Sequence, residues 1–187
     1  IKEIVFIIST KKQMIKKYFY SDKFYQNIIK KKKDKRIIDE YKKILKYKKK
    51  IKFVYQNIPK GTGDAVLKTQ KFIKNKYFLM LLPDDLIIKK NCSKAMVRAH
   101  KKYKASVMAS MKVNKKTVSR WGIYKLNKKL NKTDYVIDGV VEKPSVKNAP
   151  SNNAVIGRYI LPRTIFKKIK SLKPSKGNEI HITDAIQ

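Results

Sequence analysis

The stretch Lys52–Asp85, KFVYQNIPKGTGDAVLKTQKFIKNKYFLMLLPDD, holds a short apolar run, a glycine-bearing loop, a helical pattern and a second apolar run, in that order. Lys52–Tyr55 reads as a strand and Gly63–Ile73 as a helix whose apolar face is Ala65, Val66, Leu67 and Phe72. Tyr77–Leu82, closed by Pro83, reads as a strand buried on both faces, because its apolar residues are continuous rather than alternating. Strand, helix, strand in succession predicts an α/β fold with a largely parallel sheet.

The pattern extends in both directions. Ile4–Ser9 is a β-branched run suited to another buried strand. Residues 11–47 are polar with helical periodicity, and the basic cluster KKKKDKR at 30–36 is their solvated part. Beyond Asp85 the sequence predicts a helix over Ser93–Lys104 and a strand over Ala105–Met111. Short strands follow at Gly122–Leu126, Val136–Glu142 and Asn153–Leu161, then a helix at Arg163–Leu172. With no repeat and no Pro/Gly/Ser-rich linker, the 187 residues are expected to form a single domain. The chain begins at Ile1 beside an apolar run and stops at Gln187 within the helix-like IHITDAIQ, so it is expected to be part of a longer protein.

Composition narrows the function classes. No run approaches the ~20 apolar residues of a membrane helix, and no signal-peptide pattern is present. The lone Cys92 cannot form an internal disulfide, and a cytoplasmic location is expected. Lys and Arg number 48 against 13 acidic residues, a net charge of +35, which raises nucleic-acid binding as a possibility. Against it, arginine occurs only at 36, 98, 120, 158 and 163, whereas phosphate clamping and base readout favour its planar fork. The lysines are spread along the chain among Ile, Asn and Tyr, as coding bias acting on solvated positions would leave them.

Three segments could carry chemistry. In QNIPKGTGDA, residues 56–65, Gly61 and Gly63 would let a ligand approach the backbone, and the following helix would offer free N–H groups; an ordinary strand-to-helix turn fits equally well. LLPDD, residues 81–85, puts Asp84 and Asp85 at the carboxyl end of a strand, where ligands bind in open α/β sheets. A carboxylate there suits Mg²⁺, although either aspartate could simply cap the next element. VEKP, residues 141–144, sets Glu142 to accept sugar hydroxyls and Lys143 to meet a phosphate, or leaves them an exposed ion pair. His100 reads as exposed on a basic helix and His181 as structural.

Taken together, QNIPKGTGDAV, LLPDD, WGIY (121–124), VEKPSVKNAPSNNAVIGRYIL (141–161) and GNEIHITDAI (177–186) resemble, in this order, the bacterial UTP–glucose-1-phosphate uridylyltransferases. The last two are the specific parts; the first two are shared with thymidylyl-, adenylyl- and guanylyltransferases acting on sugar 1-phosphates. The resemblance implies a Rossmann-like nucleotidyltransferase fold, a mixed, mostly parallel central sheet flanked by helices. It implies Mg²⁺-dependent conversion of UTP and glucose 1-phosphate to UDP-glucose and pyrophosphate. Gln56 and the backbone at Gly61 would hold the uracil edge, and Asp84 would be a catalytic metal ligand. Gly122 would pack against the sugar, Glu142 would take glucose hydroxyls, the catalytic Lys143 would bind the sugar phosphate, and Gly157 would lie in the segment lining the sugar pocket. Relatives of this kind often form dimers or tetramers, so a homo-oligomer is part of the implication, although no residue pattern fixes an interface.

Three departures accompany the resemblance. The family's glycine-rich triphosphate loop is expected before Ile1 and a second metal-binding aspartate after Gln187, so the 187 residues alone are expected to be inactive. Asp64 stands where uridylyltransferases more often carry histidine, which keeps thymidylyl and adenylyl transfer open as alternatives beside the lysine-rich nucleic-acid-binding module.

Overall fold

The β-branched run near the start forms β1, Ile4–Ile8, and the run that opens the deciding stretch forms β2, Ile51–Tyr55. The computed structural model that shows this describes residues 1–20, 23–88 and 91–186. The chain divides into two compact units, Ile1–Phe72 with Lys173–His181, and Ile73–Leu172 with the segment that begins at Ile182.

In the first unit β1 and β2 pair in parallel, from Ile4 opposite Ile51 to Ile8 opposite Tyr55. Parallel neighbours need a crossover, and helices supply it: α1 (Gln13–Tyr20), α2 (Lys23–Lys32) and α3 (Lys35–Leu45). Aromatic rings cover the two strands, with Phe6 stacked on Phe19 at 5.3 Å and on Phe53 at 5.6 Å. The Tyr20 hydroxyl donates to the Ile51 carbonyl at 2.6 Å, which ties α1 to the start of β2.

The polar stretch expected to be helical over 11–47 is thus three helices; residues 21 and 22 of it lie outside the described residues. The break between α2 and α3 has a visible cause. Lys33 takes a positive φ of 49°, and the Asp34 carboxylate then accepts the Arg36 and Ile37 N–H groups at 2.9 and 3.3 Å. Such a cap is worth about 1 kcal/mol. The next helix, α4, runs over Gly61–Leu67 rather than the expected Gly63–Ile73. It stops early where the buried Thr69 hydroxyl donates to the Val66 carbonyl at 2.7 Å, a side-chain bond that competes with continuation of the helix.

The second unit contains β3 (Tyr77–Leu81), α5 (Cys92–Tyr103), β4 (Val107–Lys112), β5 (Gly122–Lys129), β6 (Tyr135–Glu142), β7 (Asn153–Pro162), α6 (Ile165–Ser171) and α7 (Ile182–Ile186). Its five strands run in the order β3-β7-β5-β6, with β4 also paired to β7. All of these pairs are antiparallel. The α/β class holds, but among the described residues β1–β2 is the only parallel pair, against the expected predominance of parallel pairing. A continuous apolar run does not reveal strand direction: among the described residues β3 pairs only with β7, and Leu79 and Leu81 are 38% and 51% exposed. The later strands join the sheet of β3 and β4, while β1 and β2 pair in a sheet of their own.

β7 is the spine of this sheet. Ala154, Tyr159, Ile160 and Leu161 are all buried along it. Below it α6 inserts Phe166 and Ile169, both essentially without exposure, and Phe166 stacks on Phe78 of β3 at 5.5 Å. His100 is half-buried rather than exposed: its ring lies 4.4 Å from that of Tyr77, and Nδ1 is 2.7 Å from the Ala105 carbonyl. The helix end that the carbonyl follows is closed by Lys104 in the left-handed conformation. Replacing Phe166 by Ala should lower unfolding free energy by about 3–5 kcal/mol, read as a shift of the denaturant midpoint.

Candidate active site

In the first unit the loop after β2 is held by the segment that ends at His181. The Gly63 N–H donates to the Ile180 carbonyl at 2.7 Å, and the Ile180 N–H donates to the Lys60 carbonyl at 2.9 Å. A Cβ on Gly61, whose φ is +89°, would lie 2.4 Å from the Ile180 carbonyl oxygen; one on Gly63 would lie 2.7 Å from the Ile180 side chain. Both glycines therefore admit the chain's own backbone, and the Gly63 N–H expected to be free for a ligand is engaged by Ile180. Two of the motifs noted in the sequence, GTGDAV and GNEIHITDAI, are physical partners.

Gln56 leaves the ladder at the end of β2, its backbone N–H still bonded to the Ile8 carbonyl at 2.9 Å. Its side-chain amide nitrogen donates to the Gly61 carbonyl at 3.1 Å and to Asp64 Oδ2 at 2.7 Å. Lys68 Nζ lies 3.8 Å from the same carboxylate oxygen. A cavity of about 280 Å³ opens beside this group, lined by Tyr55, Asn57, Ile58, Lys60, Asp64 and Lys68. The Lys16 ammonium, 3.3 Å from the Tyr55 hydroxyl, lowers that phenol below its ordinary range.

In the second unit the two aspartates after β3 have different environments. Asp85 Oδ2 accepts the Gly157 N–H, and the Leu82 N–H donates to the Gly157 carbonyl at 2.8 Å. Arg158 completes the join, with Nη1 donating to the Leu82 carbonyl at 2.6 Å and Nη2 donating to the Asp85 carbonyl. Gly157 sits within this knot, since a Cβ there would lie 2.4 Å from Leu82 Cβ and 2.6 Å from Asp85 Oδ2. Asp85 is thereby committed to the backbone, and Asp84 stands exposed at the strand end.

Glu142 ends β6 directly opposite Gly122, the first residue of β5. A Cβ on Gly122 would be 3.0 Å from Glu142 Oε2, so the missing side chain leaves the carboxylate its room. Lys143 follows with φ of +45° and its N–H bonded to the Trp121 carbonyl at 3.0 Å. A left-handed lysine costs of order 1 kcal/mol or more, and Pro144, buried next to it, fixes the exit of the chain. Strand and turn thus present Glu142 and Lys143 side by side, both exposed.

Tyr159 and Arg158 were not singled out by sequence. Burial, then the negative charges of Asp85 and Glu142, push the Tyr159 phenol up to about 12, so its hydroxyl lies within the field of both carboxylates. Among the described residues nothing hydrogen-bonds that hydroxyl. The available signal was the alternation in GRYIL, which sends Arg158 to one face of β7 and Tyr159 to the other. The remaining sequence candidates, Gln56 and Gly61, belong to the first unit, while Asp84, Gly122, Glu142, Lys143 and Gly157 belong to the second.

The profile of the family described as nucleotidyl transferase matches residues 4–187. The chain belongs to that family. A Streptococcus pyogenes UTP–glucose-1-phosphate uridylyltransferase is 36% identical over the whole chain, which spans 62% of that protein. A Methanocaldococcus jannaschii protein provisionally given the same name is 37% identical, again over the whole chain and 65% of the relative. The chain therefore spans a little under two thirds of the length of these relatives. A crystal structure of a UDP-glucose pyrophosphorylase complexed with UDP-glucose superposes with a TM-score of 0.84 at 33% identity, over 99% of this chain and 67% of the other. In this family member, Gly157→Ala should cost at least about 1–3 kcal/mol through overpacking against Leu82 and Asp85. Thermal unfolding of the variant measures it.

Proposed function

We propose that the protein transfers a uridylyl group from UTP to glucose 1-phosphate, forming UDP-glucose and releasing pyrophosphate. The observation that carries this reading is the pairing of Glu142 with the space left by Gly122, beside Lys143. It is an acceptor for sugar hydroxyls next to a cation for the sugar phosphate, in a chain similar throughout to proteins named for that reaction.

In this reaction a phosphate oxygen of glucose 1-phosphate attacks the α-phosphorus of UTP, and the bond from that phosphorus to the bridging oxygen of the β-phosphate breaks. The nucleophile is already anionic, so positioning and charge neutralisation are the protein's task. In our reading Glu142 orients glucose through its hydroxyls, Lys143 holds the sugar phosphate, and Tyr159 offers a hydroxyl to the same region. In the first unit Gln56 and the backbone at Gly61 face the base.

Mg²⁺ fits the residues present. It commonly takes one or two carboxylates and completes its shell with substrate phosphates and water. The exposed Asp84 offers one carboxylate at a strand end, and among the described residues no group of three His, Cys, Asp or Glu gathers to make a protein-only cage. When bound, the ion would neutralise phosphate charge; Asp84 would anchor it.

A pyrophosphate-release assay on the full-length gene product with UTP, dTTP, ATP and GTP tests the reading. Turnover with UTP and glucose 1-phosphate is expected, and its absence, or a clear preference for dTTP or ATP, would overturn it. Activity should vanish with EDTA and return with Mg²⁺. Lys143→Ala keeps a Cβ and thus the same backbone demand, so it isolates the ammonium. A loss of about 30- to 1,000-fold in turnover is expected, the scale of one positioned charge-stabilising donor.

A further inference from the structure

The amide of Gln56 meets two groups that carry no hydrogen. The Gly61 carbonyl can only accept, and an ionised carboxylate such as Asp64 can only accept. At 3.1 and 2.7 Å both contacts require Gln56 to present its –NH₂, so chemistry alone dictates the orientation of the amide. Both amide hydrogens are then in use. Oε1 remains, and among the described residues nothing donates to it.

Neither acceptor can readily move away. The Gly61 carbonyl belongs to a residue wedged against the Ile180 backbone at a positive φ. Asp64 sits in the first turn of α4 with its side chain only 16% exposed, and Lys68 approaches the same oxygen. Turning the amide over would set Oε1 against a carbonyl and a carboxylate, with lone pairs facing lone pairs.

We infer that Asp64 is a specificity-determining positioning residue, which locks Gln56 as an acceptor so that it admits a nucleobase bearing a ring N–H donor. The inference rests on the proposed function, in which Gln56 faces the base. Uracil and thymine carry such a donor at N3, and guanine carries one at N1. Cytosine and adenine have a bare nitrogen at the matching place. The departure at position 64 thus favours the imide bases and disfavours adenylyl transfer, while the choice between uracil and thymine lies elsewhere in the site.

Asp64→Asn tests this, because an Asn amide can turn its –NH₂ toward Gln56 and so withdraw one of the two acceptors that hold the Gln56 amide, without altering size. Calorimetric titrations of the full-length protein would use UDP-glucose, dTDP-glucose, CDP-glucose and ADP-glucose. The wild type should bind the uridine and thymidine compounds at least about tenfold tighter than the other two, the scale of one buried hydrogen bond made rather than left unpaired. In Asp64→Asn that ratio should fall, because the Gly61 carbonyl alone then holds the amide, with thermal unfolding unchanged. In the wild type the Gln56 side-chain amide protons should also be protected from solvent exchange by NMR, and protection should be reduced in the variant. Undiminished base selectivity in Asp64→Asn, or freely exchanging Gln56 amide protons in the wild type, would overturn the inference while leaving the transfer reaction intact. Failure of the wild type to bind any of the four compounds would overturn the proposed function, and this inference with it.

Discussion

The guanidinium of Arg158 fixes the loop after β3 onto the central strand of the second unit. It donates to the carbonyls of Leu82 and Asp85 while Asp85 accepts the N–H of the neighbouring Gly157. These bonds do what the sheet ladder cannot, because the chain turns at Pro83 and its backbone groups lose their strand partners. Charge-assisted bonds of this kind are roughly twice as strong as neutral ones. The arrangement imposes a geometric condition: only glycine fits at 157, where a methyl group would overlap Leu82. Adjacent carboxylates thereby divide their labour. Asp85 becomes structural, and Asp84 is left exposed on a strand end that cannot wander.

The same logic, one group held or left out so that its neighbour is available, appears at the other positions of interest. Lys143 engages its N–H with the Trp121 carbonyl and accepts a left-handed φ, which turns the chain immediately after Glu142. Gly122 lacks a side chain, so Glu142 has space across the β5–β6 pair. In the first unit Asp64 and the Gly61 carbonyl absorb both hydrogens of Gln56. Each case removes a conformational freedom from the group that remains, and preorganised groups lose less on binding.

Much of this was legible in the sequence, and the parts that were not have a common cause. Strands and helices announced by local pattern, such as Tyr135–Glu142 and Cys92–Tyr103, fall within a residue or two of expectation. Strand direction did not, because a continuous apolar run such as FLMLL looks alike in a parallel interior strand and an antiparallel edge strand. The helical stretch 11–47 was read whole, since the break depends on one positive φ at Lys33 and one aspartate cap. At the site, residue types and motif order put Glu142 and Lys143 forward as candidates and a carboxylate after β3. They could not show which of Asp84 and Asp85 is bonded to the backbone, nor that the GTG glycines meet Ile180, because those facts depend on contacts between residues 72 to 119 positions apart.

The +35 charge is the feature that sequence alone weighed least securely, and burial helps to weigh it. Among the described residues Thr69 is the only buried polar or charged one, and none of the lysines whose side chains are described is buried. Long side chains of this kind can lay their methylenes along apolar surface and keep the charge solvated. Six of the described lysines set the ammonium over an aromatic ring, including Lys16 over Tyr55 and Lys102 over Tyr103. Such placement lets lysine accumulate without disturbing the core, and the cost is a diffuse mutual repulsion that salt screens. A surface of this sign also raises the local concentration of phosphate-bearing solutes. The nucleoside triphosphate and sugar phosphate of the proposed reaction are solutes of that kind.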